Sequence, residues 1–227
     1  MEKMYFVAGI DTDVGKTVAS ALMARSLMSR QIDAITLKLV QTGCTNRSED
    51  IETHRRLCWN RRFYEDELGL TSPQIFKYPS SPELSARLEG KTVDLQRIDN
   101  CIEYVTNHHA LTLVECAGGL CVPLTEDLLT IDFIAARKRP VVLVTSTRLG
   151  SINHTILSLE ALKARQIPLA GVVCNLHPAV DEVMKDDTIA TIRRRLARLG
   201  FPERLVTIPS FDLNGAIPDL DFTEIFQ

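Results

Sequence analysis

The chain has 227 residues, of which 45% are hydrophobic and 24% are charged, and its formal net charge is −3 at pH 7. This length suits one large domain with a substantial core, and the apolar content is too high for a disordered chain. A slightly acidic protein with interspersed charges has no overall field that would attract nucleic acid or an anionic membrane, so we expect neither as a partner.

The hydrophobic runs predict no membrane segment. The uncharged run at 4–10 is too short for the core of a signal peptide, and no later run approaches the ~20 apolar residues that span a bilayer. We therefore expect a cytoplasmic protein.

The six cysteines lie at positions 44, 58, 101, 116, 121 and 174. They form no CxxC pair and no zinc-type cluster, so we expect reduced, inert thiols.

The first half of the chain alternates β-branched runs with segments that have the apolar spacing of a helix. In chain order we predict a strand at 5–8, a helix at 17–30, a strand at 34–39, a helix at 49–59 and a helix at 95–107. Three prolines lie in the segment 63–82, between the last two helices. We predict loop there, with a short strand near 74–77.

The second half continues this alternation. In chain order we predict a strand at 110–115, a strand at 140–145, a helix at 151–165 with Ser151 as its N-cap, a strand at 169–174, a helix at 188–199 and a strand at 205–208. The strands are rich in Val, Ile and Leu without alternation, which indicates burial on both faces. The sequence therefore predicts a single α/β domain over 1–227, doubly wound, with a mostly parallel sheet and helices on both faces.

A candidate phosphate loop, Gly9-Ile-Asp-Thr-Asp-Val-Gly15-Lys16-Thr17, lies between the first strand and the first helix. Glycine lets backbone N–H groups approach a polyanion, and the helix start adds partial positive charge. Lys16 would neutralise the β- and γ-phosphates, and the Thr17 hydroxyl would bind Mg²⁺. Five residues separate Gly9 from Gly15, one more than in the generic pattern, so a chance Gly-Lys-Thr is the competing interpretation. The flanking strand and helix favour a P-loop NTPase fold.

Two acidic residues are candidate metal ligands. Glu115 ends the strand 110–115, and ligands of open α/β sheets bind at that carboxyl edge. Taken alone, Glu115 could equally be a strand-end acid that points into solvent. Asp50 follows the second strand, and a helix-start acid explains it equally well.

Lys38 closes a strand that otherwise reads as buried, and a lysine in that position needs an anion. Beside the phosphate loop it would point at the transferring phosphoryl group or at a substrate carboxylate. The alternative is that its ammonium group reaches out to solvent.

These motifs resemble the dethiobiotin synthetase family. Residues 9–17 match its loop Gly-Thr-Asp-Thr-x-Val-Gly-Lys-Thr except at Ile10, and the five-residue spacing is the family's own. Residues 38–43 are similar to its Lys-Pro-(Val/Ile)-x-(Ser/Thr)-Gly. Residues 114–119 are similar to its Val-Glu-Gly-Ala-Gly-Gly, and 149–154 to its Leu-Gly-x-Ile-Asn-His.

The resemblance extends from residue 4 to about 211, with two departures inside the motifs. Leu39 replaces a proline, and Cys116 replaces a glycine where a side chain would crowd the turn over the phosphates. The stretch 180–199 offers no motif that aligns with the family, so no contact with the substrate tail is assigned to it.

The resemblance implies a ligase of biotin biosynthesis. Such an enzyme uses ATP as cosubstrate and Mg²⁺ as cofactor to close a cyclic urea on 7,8-diaminopelargonic acid with CO₂, through a carbamate and a carbamic–phosphoric anhydride. It also implies a homodimer that holds the substrate tail at the subunit interface.

The resemblance assigns residues to three roles. The catalytic residues are Thr12, Lys16 and Lys38. The residues for nucleotide and metal are Asp13, Val14, Gly15, Lys16, Thr17, Val18, Asp50, Glu115, Cys116, Ala117, Gly118, Asn175, Leu176, Pro209, Ser210 and Phe211, of which Thr17, Asp50 and Glu115 would bind the metal. The substrate residues are Thr12, Lys38, Thr42, Ser81, Gly150, Ser151 and Asn153.

Three other functions compete with this one. A partition or septum-site switch ATPase (ParA- or MinD-like) has a signature lysine early in its loop, which is missing from 9–17. Nucleic-acid binding through the arginines at 193–195 is disfavoured, because such a run is usually the solvated face of a helix. An amide ligase of cobalamin assembly would carry a glutaminase half, which this sequence does not show.

Overall fold

The computed structural model describes residues 2–227 as an α/β fold around one six-stranded sheet. Up to His108 the elements are β1 (Met4–Gly9), α1 (Lys16–Ser29), β2 (Ala34–Lys38), β3 (Gln41–Thr42), α2 (Glu49–Leu57), α3 (Tyr64–Glu67), β4 (Ile75–Phe76), α4 (Pro82–Leu88) and α5 (Leu95–His108). They are followed by β5 (Leu111–Gly119), β6 (Pro123–Thr125), β7 (Leu128–Leu129), α6 (Thr130–Arg137), β8 (Val141–Ser146), α7 (Ser151–Ala164), β9 (Leu169–Asn175), α8 (Glu182–Leu199), β10 (Leu205–Ile208) and a 3-10 helix, Thr223–Phe226.

The main sheet has the strand order β10-β9-β8-β1-β5-β2, and every neighbouring pair in it is parallel. Parallel neighbours require crossover connections, and the longer helices supply them. Strands β1, β2, β8 and β9 are buried along their whole length. The predicted parallel sheet of the P-loop type is therefore confirmed.

Aromatic contacts of β1 show that both faces of the sheet are covered. Phe6 packs edge-to-face on Phe133 of α6, with ring centroids 6.1 Å apart. Its neighbour Tyr5 packs in the same way on Phe226 of the 3-10 helix, at 5.0 Å. Since consecutive strand residues point to opposite faces, α6 and the 3-10 helix lie on opposite sides of the sheet.

The short elements differ most from the sequence prediction. The segment 63–82 contains helix α3 as well as the predicted short strand, and α4, α6 and the β6–β7 hairpin are additional. Elements of this length show too few periods for a pattern to be read. Helix α8 begins at Glu182, because the Asp181 carboxylate caps it by accepting a hydrogen bond from Met184 N–H.

Two predicted boundaries near the carboxyl edge of the sheet are wrong. Ser151 is the first residue of α7, and Gly150 takes the N-cap position with a φ of 93°. Strand β5 continues past Glu115, because its ladder resumes after a register shift and pairs Gly119 with Gly9. Glu115 thus lies inside the strand, opposite Lys38 of β2.

The six cysteines are all free thiols, and five of them are buried. Burial raises the pKa of Cys58 to about 11 and that of Cys174 to about 12. Cys121, in the turn after β5, is the exposed one.

None of the helices that the structure describes in 2–227 combines the length and apolar character that a bilayer crossing needs.

Candidate functional site

The phosphate loop connects β1 to α1, and Gly15 ends it as the N-cap of the helix. Gly15 has a φ of 100°, a left-handed conformation that side chains disfavour. A Cβ atom there would lie 2.5 Å from Asn175 Nδ2. That amide comes from the end of β9 and donates a hydrogen bond to Val14 O at 3.1 Å. Gly15 therefore lets the loop close against Asn175, while the first N–H groups of α1 stay without partners inside the helix.

Most of the predicted site residues meet in one cavity of about 760 Å³ beside this loop. Its wall comes from the loop and the start of α1, the ends of β2 and β3, the start of α2, the turn before α4, and β5. The predicted residues that line it are Thr12, Asp13, Gly15, Lys16, Thr17, Val18, Lys38, Thr42, Asp50, Ser81, Glu115, Ala117 and Gly118.

The other predicted residues lie outside the cavity wall. They are Val14, Cys116, Gly150, Ser151, Asn153, Asn175, Leu176, Pro209, Ser210 and Phe211. Cys116 is fully buried in the hydrophobic core, where burial raises the pKa of its thiol to about 12. The Cys116 side chain thus packs in the core and does not line the cavity.

Five of the residues predicted for the nucleotide form a second group at the carboxyl edge. Leu176 N–H donates to Ile208 O at 2.9 Å, which joins the ends of β9 and β10. His177 Nδ1 and Ser210 Oγ lie 2.9 Å apart and hold the two following segments together. The structure thus brings residues 175–176 next to residues 209–211. Both segments lie near the end of the phosphate loop that contains Gly15.

Three of the residues predicted for the substrate, Gly150, Ser151 and Asn153, lie at the start of α7. Gly150 and Asn153 are exposed, whereas Ser151 is buried and its hydroxyl lies 2.7 Å from Ser146 Oγ. Arg148 connects this segment to the phosphate loop, because its guanidinium donates to Asp11 Oδ2 at 2.7 Å. The sequence gives no signal for this ion pair, which joins residues far apart in the chain.

An ionic cluster forms part of the cavity wall. Lys38 Nζ lies 2.6 Å from Asp50 Oδ2 and 2.7 Å from Glu115 Oε1. Burial alone would lower the pKa of Lys38, but the charges of Glu115 and Asp50 outweigh it and hold the pKa above the ordinary lysine value. For Glu115, burial would raise the pKa, and Lys38 and His54 outweigh it, so the pKa lies well below the usual range. Lys38 and Glu115 are therefore both charged.

The three predicted metal ligands meet at this cluster. The Thr17 hydroxyl lies 2.7 Å from Asp50 Oδ1 and 3.2 Å from Glu115 Oε1. Hard oxygen donors suit Mg²⁺, which takes one or two carboxylates and completes its shell with water and phosphate. Within 2–227 no cluster of three or more His, Cys, Asp or Glu side chains is arranged for a metal. The trio offers one hydroxyl and two carboxylates, so it fits an ion whose remaining ligands are water and the phosphates of a nucleotide.

The Lys16 side chain turns back on the phosphate loop. Its Nζ donates to Asp11 O at 2.8 Å, and the side chain is buried. Burial and the positive charge of Lys38 lower the pKa of Lys16. Lys16 forms no ion pair with any carboxylate of residues 2–227, and a bound polyphosphate would supply negative charge beside its ammonium group.

His54 is a site residue that the sequence prediction missed. Its Nε2 lies 2.8 Å from Glu115 Oε2, and the ring is fully buried. The available signal was its position four residues after Asp50, which places both side chains on one face of α2. The spacing alone does not indicate a site, because the contact with Glu115 depends on β5 lying against that face of α2.

The parallel sheet, its glycine loop and the lysine and threonine that start α1 define a P-loop NTPase. Residues 3–212 match a family described as an AAA domain. The solved structure of pNOB8 ParA bound to nonspecific DNA is 11% identical, with a TM-score of 0.57, covering 99% of this chain and 90% of that one. A ParA family ATPase from Chlorobium tepidum TLS is 13% identical, with a TM-score of 0.52, covering 92% and 84%. At these identities the likeness shows the fold alone.

Relatives in sequence are more specific. The ATP-dependent dethiobiotin synthetase BioD 2 of Pasteurella multocida is 42% identical over 198 residues, which cover 87% of this chain and 93% of the relative. The ATP-dependent dethiobiotin synthetase BioD of Chlorobaculum tepidum is 41% identical over 208 residues, covering 92% and 85%. The chain belongs to the ATP-dependent dethiobiotin synthetase family. This membership confirms the family and the class of ATP-dependent ligase predicted from the motifs.

Gly15→Ala is expected to weaken ATP binding at least about tenfold. A left-handed alanine costs roughly 1–2 kcal/mol, and here the new methyl group would also collide with Asn175. The loop must then move, which misdirects the N–H groups at the start of α1. Isothermal titration calorimetry with a non-hydrolysable ATP analogue measures the effect.

Gly69→Ala is the matched control, because Gly69 has a φ of 69° but no atom within 4 Å of its added Cβ. It should lower the melting temperature without changing ATP affinity. Equal affinity losses in the two variants, or none in Gly15→Ala, would show that the contact with Asn175 does not shape the loop.

Proposed function

We propose that this protein closes a cyclic urea on 7,8-diaminopelargonic acid, using CO₂ and ATP, and so forms dethiobiotin in the biotin pathway. The observation that carries this proposal is the ionic cluster of Lys38, Asp50 and Glu115 on the wall of the cavity that the phosphate loop borders. The phosphate loop and the ammonium group of Lys38 thus line one cavity, which supports phosphoryl transfer to a substrate held there. Membership in the dethiobiotin synthetase family supports the choice of substrate.

The reaction has three balanced steps. One amine of the substrate adds to CO₂ and loses a proton, giving a carbamate. A carbamate oxygen attacks the γ-phosphorus of ATP, forming a carbamic–phosphoric anhydride as ADP leaves. The second amine attacks the carbonyl carbon and gives up a proton to solvent, a C–N bond closes the five-membered ring, and inorganic phosphate leaves with the electron pair of the broken C–O bond.

The side chains supply charge and position for these steps. Phosphoryl transfer is catalysed mostly by placing the reactants and neutralising charge. We assign Lys16 to the β- and γ-phosphates and Lys38 to the carbamate and the transferred phosphoryl group. Thr17, Asp50 and Glu115 would hold Mg²⁺, which when bound adds positive charge beside the phosphates. Cavity residues Thr12, Thr42 and Ser81 would hold the diamine and its carbamate.

Position is worth most in the last step, because ring closure is intramolecular. Holding two reacting groups in line contributes up to ~7–11 kcal/mol in the best-oriented systems. The cavity supports this role, since Thr12 comes from the loop, Thr42 from β3 and Ser81 from the turn before α4, so they surround the space from different sides.

We also propose where the two outer parts of the reactants lie. The adenine base would lie between Asn175–Leu176 and Pro209–Phe211. The carboxylate of the substrate tail would reach the start of α7, at Gly150, Ser151 and Asn153, of a second copy in a homodimer. The exposure of two leucines on that segment supports the dimer: Leu149 is 90% exposed and Leu157 is 60% exposed in the single chain. The cytoplasm, where ATP is available, is the proposed location.

The test is a reconstituted reaction with purified protein, diaminopelargonate, bicarbonate, ATP and Mg²⁺. Dethiobiotin should form in equal amount to ADP and phosphate, and omission of the diamine should suppress ADP formation. A switch ATPase would behave differently. ATP hydrolysis that responds to DNA or lipid vesicles but not to the diamine would refute the proposed ligase.

A further inference from the structure

We propose that His54 is a positioning residue that fixes the Glu115 carboxylate, and through it the arrangement of Lys38 and Thr17. This inference rests on the proposed function, because it assigns a purpose to Glu115 at the phosphate site. It concerns a residue outside every motif of the family resemblance.

The two oxygens of Glu115 have different partners. Oε1 faces the cavity side, where it accepts from Lys38 Nζ at 2.7 Å and from the Thr17 hydroxyl at 3.2 Å. Oε2 lies 2.8 Å from His54 Nε2. Since Glu115 and His54 are both fully buried, no solvent can replace this partner. The hydrogen bond from His54 therefore decides which way the carboxylate plane is turned.

The direction of this hydrogen bond follows from the partner. A charged carboxylate can only accept, so His54 Nε2 carries the hydrogen whatever the state of the other ring nitrogen. In the described part of the chain, His54 Nδ1 is buried and has no hydrogen-bond partner. A histidine kept for packing alone would lose stability through such an atom, which a leucine would avoid. The hydrogen bond to Glu115 explains why a histidine occupies position 54.

Removal of that bond would free the terminal torsion of Glu115, which has broad, shallow preferences in carboxylates. Rotation would move Oε1 away from Thr17 and would alter the bridge that Lys38 makes between Glu115 and Asp50. Partners that orient metal ligands typically change metal affinity or activity 10–100-fold when they are mutated. Asp50 and His54 also share helix α2, so the same helix sets both carboxylates.

The experiment compares His54→Leu, which removes the donor, with His54→Gln, whose side-chain amide can donate to the same oxygen. Mn²⁺ binding is followed by electron paramagnetic resonance in the presence of a non-hydrolysable ATP analogue, and kcat and KM are measured separately. We expect His54→Leu to weaken Mn²⁺ binding and lower kcat by about 10–100-fold, with little change in the KM for ATP at saturating metal. His54→Gln should retain most of both.

His109→Leu is the matched control, because His109 is a half-buried histidine that also contacts carboxylates, Asp33 and Glu65, but neither of these carboxylates lines the cavity. It should change the melting temperature and leave Mn²⁺ binding unchanged. If His54→Leu does not fold, His54→Asn replaces it, since the shorter amide does not reach Glu115 Oε2.

The inference would be overturned by wild-type Mn²⁺ binding and kcat in His54→Leu, or by a loss in His54→Gln as large as in His54→Leu. A wild-type protein that binds no Mn²⁺ with the ATP analogue would overturn it as well. A wild-type protein that binds Mn²⁺ and the analogue but forms no dethiobiotin would refute only the proposed reaction, because the comparison of Mn²⁺ binding among the variants needs no diamine.

Discussion

Lys38→Met is expected to lose most ring-closing activity and to lower the free energy of unfolding by about 3–5 kcal/mol. The ammonium group of Lys38 bridges two carboxylates, and one of them, Glu115, is fully buried. Its removal leaves that buried charge with His54 and the Thr17 hydroxyl as remaining donors. The turnover number should fall about 10²–10³-fold, the usual effect of deleting one donor that stabilises transition-state charge. Denaturant unfolding and steady-state kinetics measure the two effects.

A double variant separates these two effects of Lys38. Lys38→Met with Glu115→Gln removes the buried carboxylate together with its partner, so much of the lost stability should return. Activity should stay low, because the cationic group and a proposed metal ligand are both missing. Unchanged stability in the single variant would show that the buried pair is not energetically coupled. Normal turnover with weakened ATP binding would restrict Lys38 to holding the nucleotide.

Lys16→Ala is expected to reduce turnover by about 10²–10³-fold while leaving the melting temperature the same or higher. The pKa of Lys16 is lowered, by burial first and then by Lys38, so the folded protein disfavours its positive charge. Loss of that charge therefore removes an unfavourable contribution to folding at neutral pH. A bound polyphosphate would stabilise the positive charge of Lys16. Differential scanning calorimetry without ligand, beside kinetics, measures both quantities.

Lys77→Ala, at an exposed lysine outside the cavity wall, is the control for a general loss of positive charge. It should change neither turnover nor melting temperature. A Lys16→Ala protein with near-normal turnover would contradict the assigned role. A marked fall in its melting temperature would contradict the account of its charge. The two cavity lysines are thus expected to share a catalytic effect and to differ in their effect on folding.

The long elements and the phosphate loop could be predicted because each has a local signal. A buried parallel strand is a short run of Val, Ile and Leu, and β8 and β9 show it clearly. The loop combines a strand, glycines and a helix start within a few residues. By contrast, α3 has four residues and β7 has two, so neither repeats its own pattern and neither could be predicted.

The contacts within the site depend on the order of strands in the sheet, which no local pattern contains. Glu115 stood out because it follows an apolar run, yet its place inside β5 results from the pairing of Gly119 with Gly9. Its neighbour across the ladder is Lys38, which is 77 residues away in sequence. His54 reaches Glu115 only because α2 packs over that part of the sheet. Residues that act through others are therefore the ones that sequence reasoning misses.

The single exposed thiol makes this enzyme easy to fit with a reporter. Cys121 is accessible, whereas the other five cysteines are shielded by the protein. A maleimide dye added to the native protein should attach first at Cys121. That residue is followed by Val122, which forms part of the cavity wall. Fluorescence from a dye at this position would report the arrival and departure of ligands in real time, without any engineered cysteine.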